Sequence, residues 1–201
     1  MIREALLAHG ITTPLNFSTQ IPAYGLSPTD PVSFGVRHDD LMDVDRLFVQ
    51  TPTQILESAG QSPAPSTASA SSSICNTVHE YFTVLDFVLA LEHVCRDHIE
   101  HPSLYTRASH VPRAEGHFLT TSTHVLGYAP QETSPDAGAS WEIPYAEIDK
   151  LIQFSEALEL EDEITPVQAW QTLKLLTGRE IDPNVLRSIQ SQLVKVAKCC
   201  G

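Results

Sequence analysis

Nine histidines, four cysteines and 25 acidic residues supply the side chains that metal binding or acid–base catalysis needs, so their spacing is read first. Cys95, His98 and His101 follow at three-residue steps and would roughly share a helical face, but Pro102 disturbs the last turn. His93 and His98 stand five apart and do not share one. A structural zinc site wants four ligands in short-spaced pairs, and the sequence has no C-x-x-C and no second pair to complete a set. The zinc-protease pattern H-E-x-x-H fails because His79 and Glu80 are followed by Thr83 where the second histidine belongs. No metal ligands are therefore assigned.

Covalent and nucleotide chemistry fare no better. No G-x-S-x-G elbow occurs, and the serines cluster in stretches that cannot hold a base in place. The nine glycines form neither a G-x-G-x-x-G nor a G-x-x-x-x-G-K-[ST] phosphate loop. The acidic run Glu156–Glu163, EALELEDE, has Leu160 and Glu161 where a calcium loop needs a central glycine and alternating oxygen ligands. It reads instead as a charged connection favouring the positive end of the next helix. No catalytic residue and no cofactor site is assigned, and the chain is read as a non-enzyme.

The charge balance narrows the class further. Twelve basic against 25 acidic residues give a formal charge of −13, which repels phosphate backbones. No lysine precedes Lys150, and no Lys/Arg run marks a DNA-contacting helix or an import signal. Direct nucleic-acid binding is not expected. The N-terminus MIREALLAHG lacks the apolar stretch of a secretory signal, and the run Val84–Leu91 is too short for a bilayer span, so an intracellular protein with reduced thiols is expected. Cys199-Cys200-Gly201 lacks the C-a-a-X arrangement and is not read as a lipid anchor.

Any site must be positioned by the following elements. Residues 1–9 read as a short helix stopped by Gly10, and prolines 14, 22, 28 and 31 break the chain up to Pro31. Leu41, Val44, Leu47 and Phe48 recur at helical steps and predict a short helix over 40–48. The same RHDDLMDVDRLFVQ stretch reads either as an ordinary amphipathic helix or as an activation-type segment, whose apolar anchors are kept soluble by acids. QSPAPSTASASSS predicts a flexible linker. A helix follows over 77–99, apolar around nearly its whole circumference. The patches Phe118-Leu119 and Val125-Leu126 belong to a short strand or a loop, and YAPQETSPDAGAS to a second linker. Helices then start near Pro144, at Thr165-Pro166 with Gln168 completing a capping box, and at Asp182-Pro183.

The expected fold is mainly α: a small irregular helical bundle with a flexible N-terminal third and two disordered linkers. Its domains are residues 1–50, a linker at 51–76, and a helical region at 77–201 with an internal loop at 127–140. The last three helices are expected to form a cluster of linked hairpins.

Three stretches also carry a resemblance. DFVLALEHVCRDHIEHP (Asp86–Pro102), GHFLTTST (Gly116–Thr123) and WEIPYAEIDKLIQFSEALELEDEITPVQAWQTL (Trp141–Leu173) resemble the region downstream of the zipper in fungal basic-leucine-zipper transcription factors. The ending VKVAKCCG is similar to a cysteine-bearing stretch near the end of such proteins. The family's basic helix and leucine heptads have no counterpart in this sequence, so none of its DNA-contacting residues is carried over. The resemblance implies a nuclear regulator of transcription that contacts other regulatory proteins, such as a DNA-binding factor, and accompanies a biosynthetic gene set. The competing expectation is a small helical enzyme or ligand-binding protein of secondary metabolism. It would use helix 77–99 as a pocket wall and His93, His98 or His117 as acid–base groups.

Overall fold

The computed structural model describes residues 26–51, 72–95, 120–130, 139–160, 163–177 and 181–197. It corrects the mainly α expectation, because among the described residues a three-stranded antiparallel sheet shares the core with five helices. Strand β1 (Pro31–Asp39) lies between β2 (Val44–Gln50) and β3 (Ser140–Pro144). The helices are α1 (Ser72–Leu91), α2 (Thr121–Gly127), α3 (Tyr145–Ala157), α4 (Pro166–Thr177) and α5 (Pro183–Val196), with a 3-10 turn at Glu92–Cys95.

The helix expected over 40–48 is instead a turn leading into β2. Three- and four-residue apolar steps at Leu41, Val44, Leu47 and Phe48 mimic a helix, but the strand's own alternation decides the outcome. Val32, Phe34 and Val36 of β1 face inward with their cross-strand partners Val49 and Leu47 of β2, and Trp141 and Ile143 of β3. Pro31 occupies the first strand position, where its missing N–H costs nothing in the ladder. Asp43 closes the loop with φ of 54°, a left-handed conformation that aspartate tolerates.

On the opposite face Gly35 is required by a close approach. A Cβ there would lie 3.0 Å from the Phe48 ring, 3.1 Å from the Gln50 amide and 3.3 Å from the Ala139 carbonyl. The absent side chain lets Phe48 lie over β1, and the Arg37 guanidinium then stacks 4.5 Å above that ring.

Helix α1 is buried on most sides, as its composition predicts, through Tyr81, Phe82, Val84, Leu85, Phe87, Val88, Leu89 and Leu91. It packs against β2, α4 and α5. The helices over the last third start where their signals stand, and α3 packs on α4 as the expected cluster requires, but α4 and α5 dock on α1 more than on one another. Thr165 and Gln168 form the reciprocal capping box: each backbone N–H donates to the other's side-chain oxygen, at 3.0 and 3.2 Å. Asp182 caps α5 by accepting from the Asn184 and Val185 amides. Helix α3 has no side-chain cap. Its first amides donate instead to the Asp30 and Pro28 carbonyls, which ties its start to the chain entering β1.

The patch around Val125 is neither strand nor loop but helix α2, begun by the Thr120 hydroxyl accepting from the Thr123 amide. The expected short helix at 1–9 and most of the two expected linkers lie outside the described residues.

The one charged side chain in the middle of α1's apolar run is Asp86, and it organises the hairpin. Arg46, 2% exposed, donates to both Asp86 carboxylate oxygens at 3.0 and 2.9 Å, to Asp39 at 2.7 Å and to the Leu47 carbonyl at 3.0 Å. Burial opposes the charge on Arg46, but Asp86 and Asp39 outweigh it and raise its pKa above the ordinary value. The hairpin is thereby locked to α1 by a bidentate ion pair.

Candidate functional site

Three polar groupings stand out among the described residues. The first is the tip of the β1–β2 hairpin. The Asp39 carbonyl accepts from the Met42 and Asp43 amides, and its carboxylate accepts from the Leu41 and Met42 amides as well as from Arg46. The loop is thus fixed from its base. It projects Leu41, 58% exposed, with Asp40 and Asp43 almost fully exposed beside it. His38 sits within the same acidic group. Its Nδ1 lies 3.0 Å from Asp45, and its Nε2 lies 3.6 Å from Asp43 and 3.9 Å from Asp40. The bond to Asp45, with the further pull of Asp40 and Asp43, raises the imidazole pKa.

The second grouping joins α2 to α3. His124 Nε2 lies 3.2 Å from Glu147 Oε2, and the Tyr128 hydroxyl donates to the same oxygen at 2.7 Å. The Tyr128 bond holds Glu147 below the usual carboxylate range, and the same bond raises Tyr128. An open depression of about 340 Å³ lies alongside, lined by His124, Glu147, Lys150, Leu151 and Phe154. An imidazole oriented by a carboxylate can move a proton. Among the described residues, no serine, threonine or cysteine lines the depression.

The third grouping is internal. Glu92 is buried and accepts from the first amides of α2, Ser122 at 2.7 Å and Thr121 at 3.3 Å. Burial pushes its carboxyl up to about 7, and the amide bonds offset only part of that effect. The Trp141 indole holds α2 from its other side by donating to the Val125 carbonyl at 2.9 Å.

The residues considered for chemistry from sequence are only partly described. His93 lies on the 3-10 turn, half-buried, while His98, His101 and His117 fall outside the described residues. Cys95 is buried at the end of that turn. His79 is exposed, and its carbonyl accepts the Thr83 hydroxyl. Among the described residues no three His, Cys, Asp or Glu side chains are arranged to hold a metal, and no helix is long and apolar enough to cross a membrane. Sequence reasoning missed the His124–Tyr128–Glu147 grouping because the carboxylate lies 23 and 19 residues from its partners, with no motif linking them. Glu92 did carry a signal: a lone acid at the end of an apolar run.

No protein family, no characterised protein and no solved structure matches the chain significantly.

Proposed function

We propose that this protein is a regulator of transcription that works by contacting other proteins, with the hairpin tip as its contact point. The observation that carries this reading is Leu41, which stands exposed between Asp40 and Asp43 on a loop braced by Asp39 and Arg46. An apolar anchor ringed by acids suits a basic partner segment, and the formal charge of −13 favours the same kind of partner over nucleic acid. The resemblance to the downstream region of fungal basic-leucine-zipper factors supports the regulatory role, and the missing basic helix assigns DNA contact to the partner. Fusion to an unrelated DNA-binding domain is expected to change reporter expression. Leu41→Asp combined with Asp40→Asn and Asp43→Asn is expected to abolish that change. Sequence-specific binding of duplex DNA by the chain alone at physiological salt would refute the proposal.

A second reading, a small enzyme or ligand-binding protein, draws on the His124–Glu147 pair beside its depression. It predicts chemical-shift changes confined to His124, Lys150, Leu151 and Phe154 when a small-molecule library is screened. It also predicts a reporter fusion indifferent to changes at Leu41.

A further inference from the structure

Titration at the hairpin tip is aimed at the two acids that ring Leu41. Asp45 lies opposite His38 across the β1–β2 ladder, with a carboxylate oxygen 3.0 Å from the imidazole Nδ1. An ionised carboxylate can only accept a hydrogen bond, so Nδ1 carries a proton and donates in both charge states of the ring. The proton that comes and goes therefore sits on Nε2. That atom faces Asp43 at 3.6 Å and Asp40 at 3.9 Å, beyond hydrogen-bond length but within ion-pair range. Asp39, the next residue of β1, is engaged elsewhere and holds Arg46. Among the described residues, the charges that act on the imidazole are Asp45 of β2 and Asp40 and Asp43 of the turn.

The build of the loop turns this local event into a change at the contact point. Asp39 fixes the backbone through the Leu41 and Met42 amides and is itself held by Arg46, so protonation alters the charge of the tip rather than its shape. With Nε2 protonated, an imidazolium stands within ion-pair reach of Asp40 and Asp43 and cancels one negative charge beside Leu41. With Nε2 bare, both carboxylates are left to a cation from outside. The Asp45 bond, aided by Asp40 and Asp43, lifts the imidazole pKa above the ordinary value of 6.5, so the proton leaves only as pH climbs past that value.

We infer that His38 regulates the hairpin tip: its Nε2 proton weakens the contact with a basic partner segment, and loss of that proton strengthens it. The regulation rests on the reading of the tip as the contact point for such a segment, and it gives the direction in which acidity controls it. Lysines and arginines of the partner keep their charge across the range in which His38 loses its own, so affinity rises with pH. One unit charge about 5 Å from a partner's ammonium in water changes affinity about threefold.

The test uses the full chain and a fluorescein-labelled synthetic amphipathic peptide of lysines and leucines, without histidine or acidic residues. Fluorescence anisotropy is read from about pH 6 to 8.5 at constant ionic strength. Wild-type affinity is expected to rise about threefold across that range, with a midpoint matching that of the His38 imidazole followed by NMR. His38→Asn is expected to bind with the high-pH affinity throughout, and His38→Lys with the low-pH affinity throughout. Asp45→Asn, which leaves Asp40 and Asp43 in place, is expected to lower both midpoints together. Leu41→Asp is expected to weaken binding at least about tenfold at every pH. Glu92 titrates in wild type and His38→Asn alike, so the difference between them belongs to His38. A rise that persists in His38→Asn, a flat wild-type curve, or an affinity that falls with pH overturns the regulation, while the loss in Leu41→Asp would still mark the tip as the contact point. Peptide binding indifferent to Leu41→Asp, or absent at about 1 mM, overturns the reading of the tip and the regulation with it.

Discussion

Glu92 makes the sharpest quantitative prediction, because a buried carboxyl with no cation beside it among the described residues couples stability to pH in a defined direction. Its pKa is about 7 in the folded chain against 4.5 for an ordinary glutamate. Folding therefore favours the protonated form. The stabilisation is complete below pH 4.5, declines as pH rises, and is gone above about 7. The full shift corresponds to ~3 kcal/mol. Between pH 5.5 and 8, a window above the isoelectric point of 4.9, the loss is about 2 kcal/mol. Glu92→Gln removes the titration while keeping one carbonyl oxygen for the α2 amides. Urea unfolding of both proteins across that window isolates the group, because other titrations cancel in the difference. The wild-type stability minus that of the variant is expected to fall by about 2 kcal/mol from pH 5.5 to 8. A flat difference, or one that rises with pH, would refute the assignment of a buried carboxyl clamped on α2.

Three further predictions follow from the hairpin. Arg46→Met takes the guanidinium from Asp39 and leaves Asp86 only the longer contact to Arg37 at 3.9 Å, and chemical denaturation should show a loss of about 3 kcal/mol, largely recovered when Asp86→Leu is added. Gly35→Val forces a side chain against Phe48, Gln50 and the Ala139 carbonyl, and thermal unfolding should report about 1–3 kcal/mol of destabilisation. For His38, NMR titration should show the imidazolium persisting above the ordinary histidine range. Asp45→Asn should bring the midpoint down, since the Asp45 bond is the largest cause of the shift.

What the sequence disclosed follows the range of the interactions involved. The starts of α4 and α5 were legible because Thr165, Pro166 and Gln168, like Asp182 and Pro183, act within three residues of one another. The burial of α1 was legible from its composition alone. The sheet was not, because its partners are far apart in the chain: Ser33 of β1 meets Glu142 of β3 across 109 positions. The proline-broken stretch ends at Pro31, and the VSFGV segment beyond it is too short for its alternation to stand out. In the hairpin, helical spacing of Leu41, Val44, Leu47 and Phe48 competed with the strand pattern. The left-handed Asp43 that turns the chain into β2 leaves no mark in composition. The His124–Tyr128–Glu147 grouping was invisible for the same reason as the sheet, since His124 and Glu147 belong to different helices.

The place of β1 at the centre of the sheet also bears on the birth of the protein. Its hairpin partner β2 follows at once, but its other neighbour, β3, leaves the ribosome about 109 residues later. At ordinary synthesis rates of roughly 5–20 residues per second, the far edge of β1 waits some 5–20 s for its permanent neighbour. During that interval an extended segment rich in valine and phenylalanine offers an open ladder to any other nascent strand. Translation speed over residues 50–140 is therefore expected to govern the soluble yield of this protein more strongly than the stability of the finished fold.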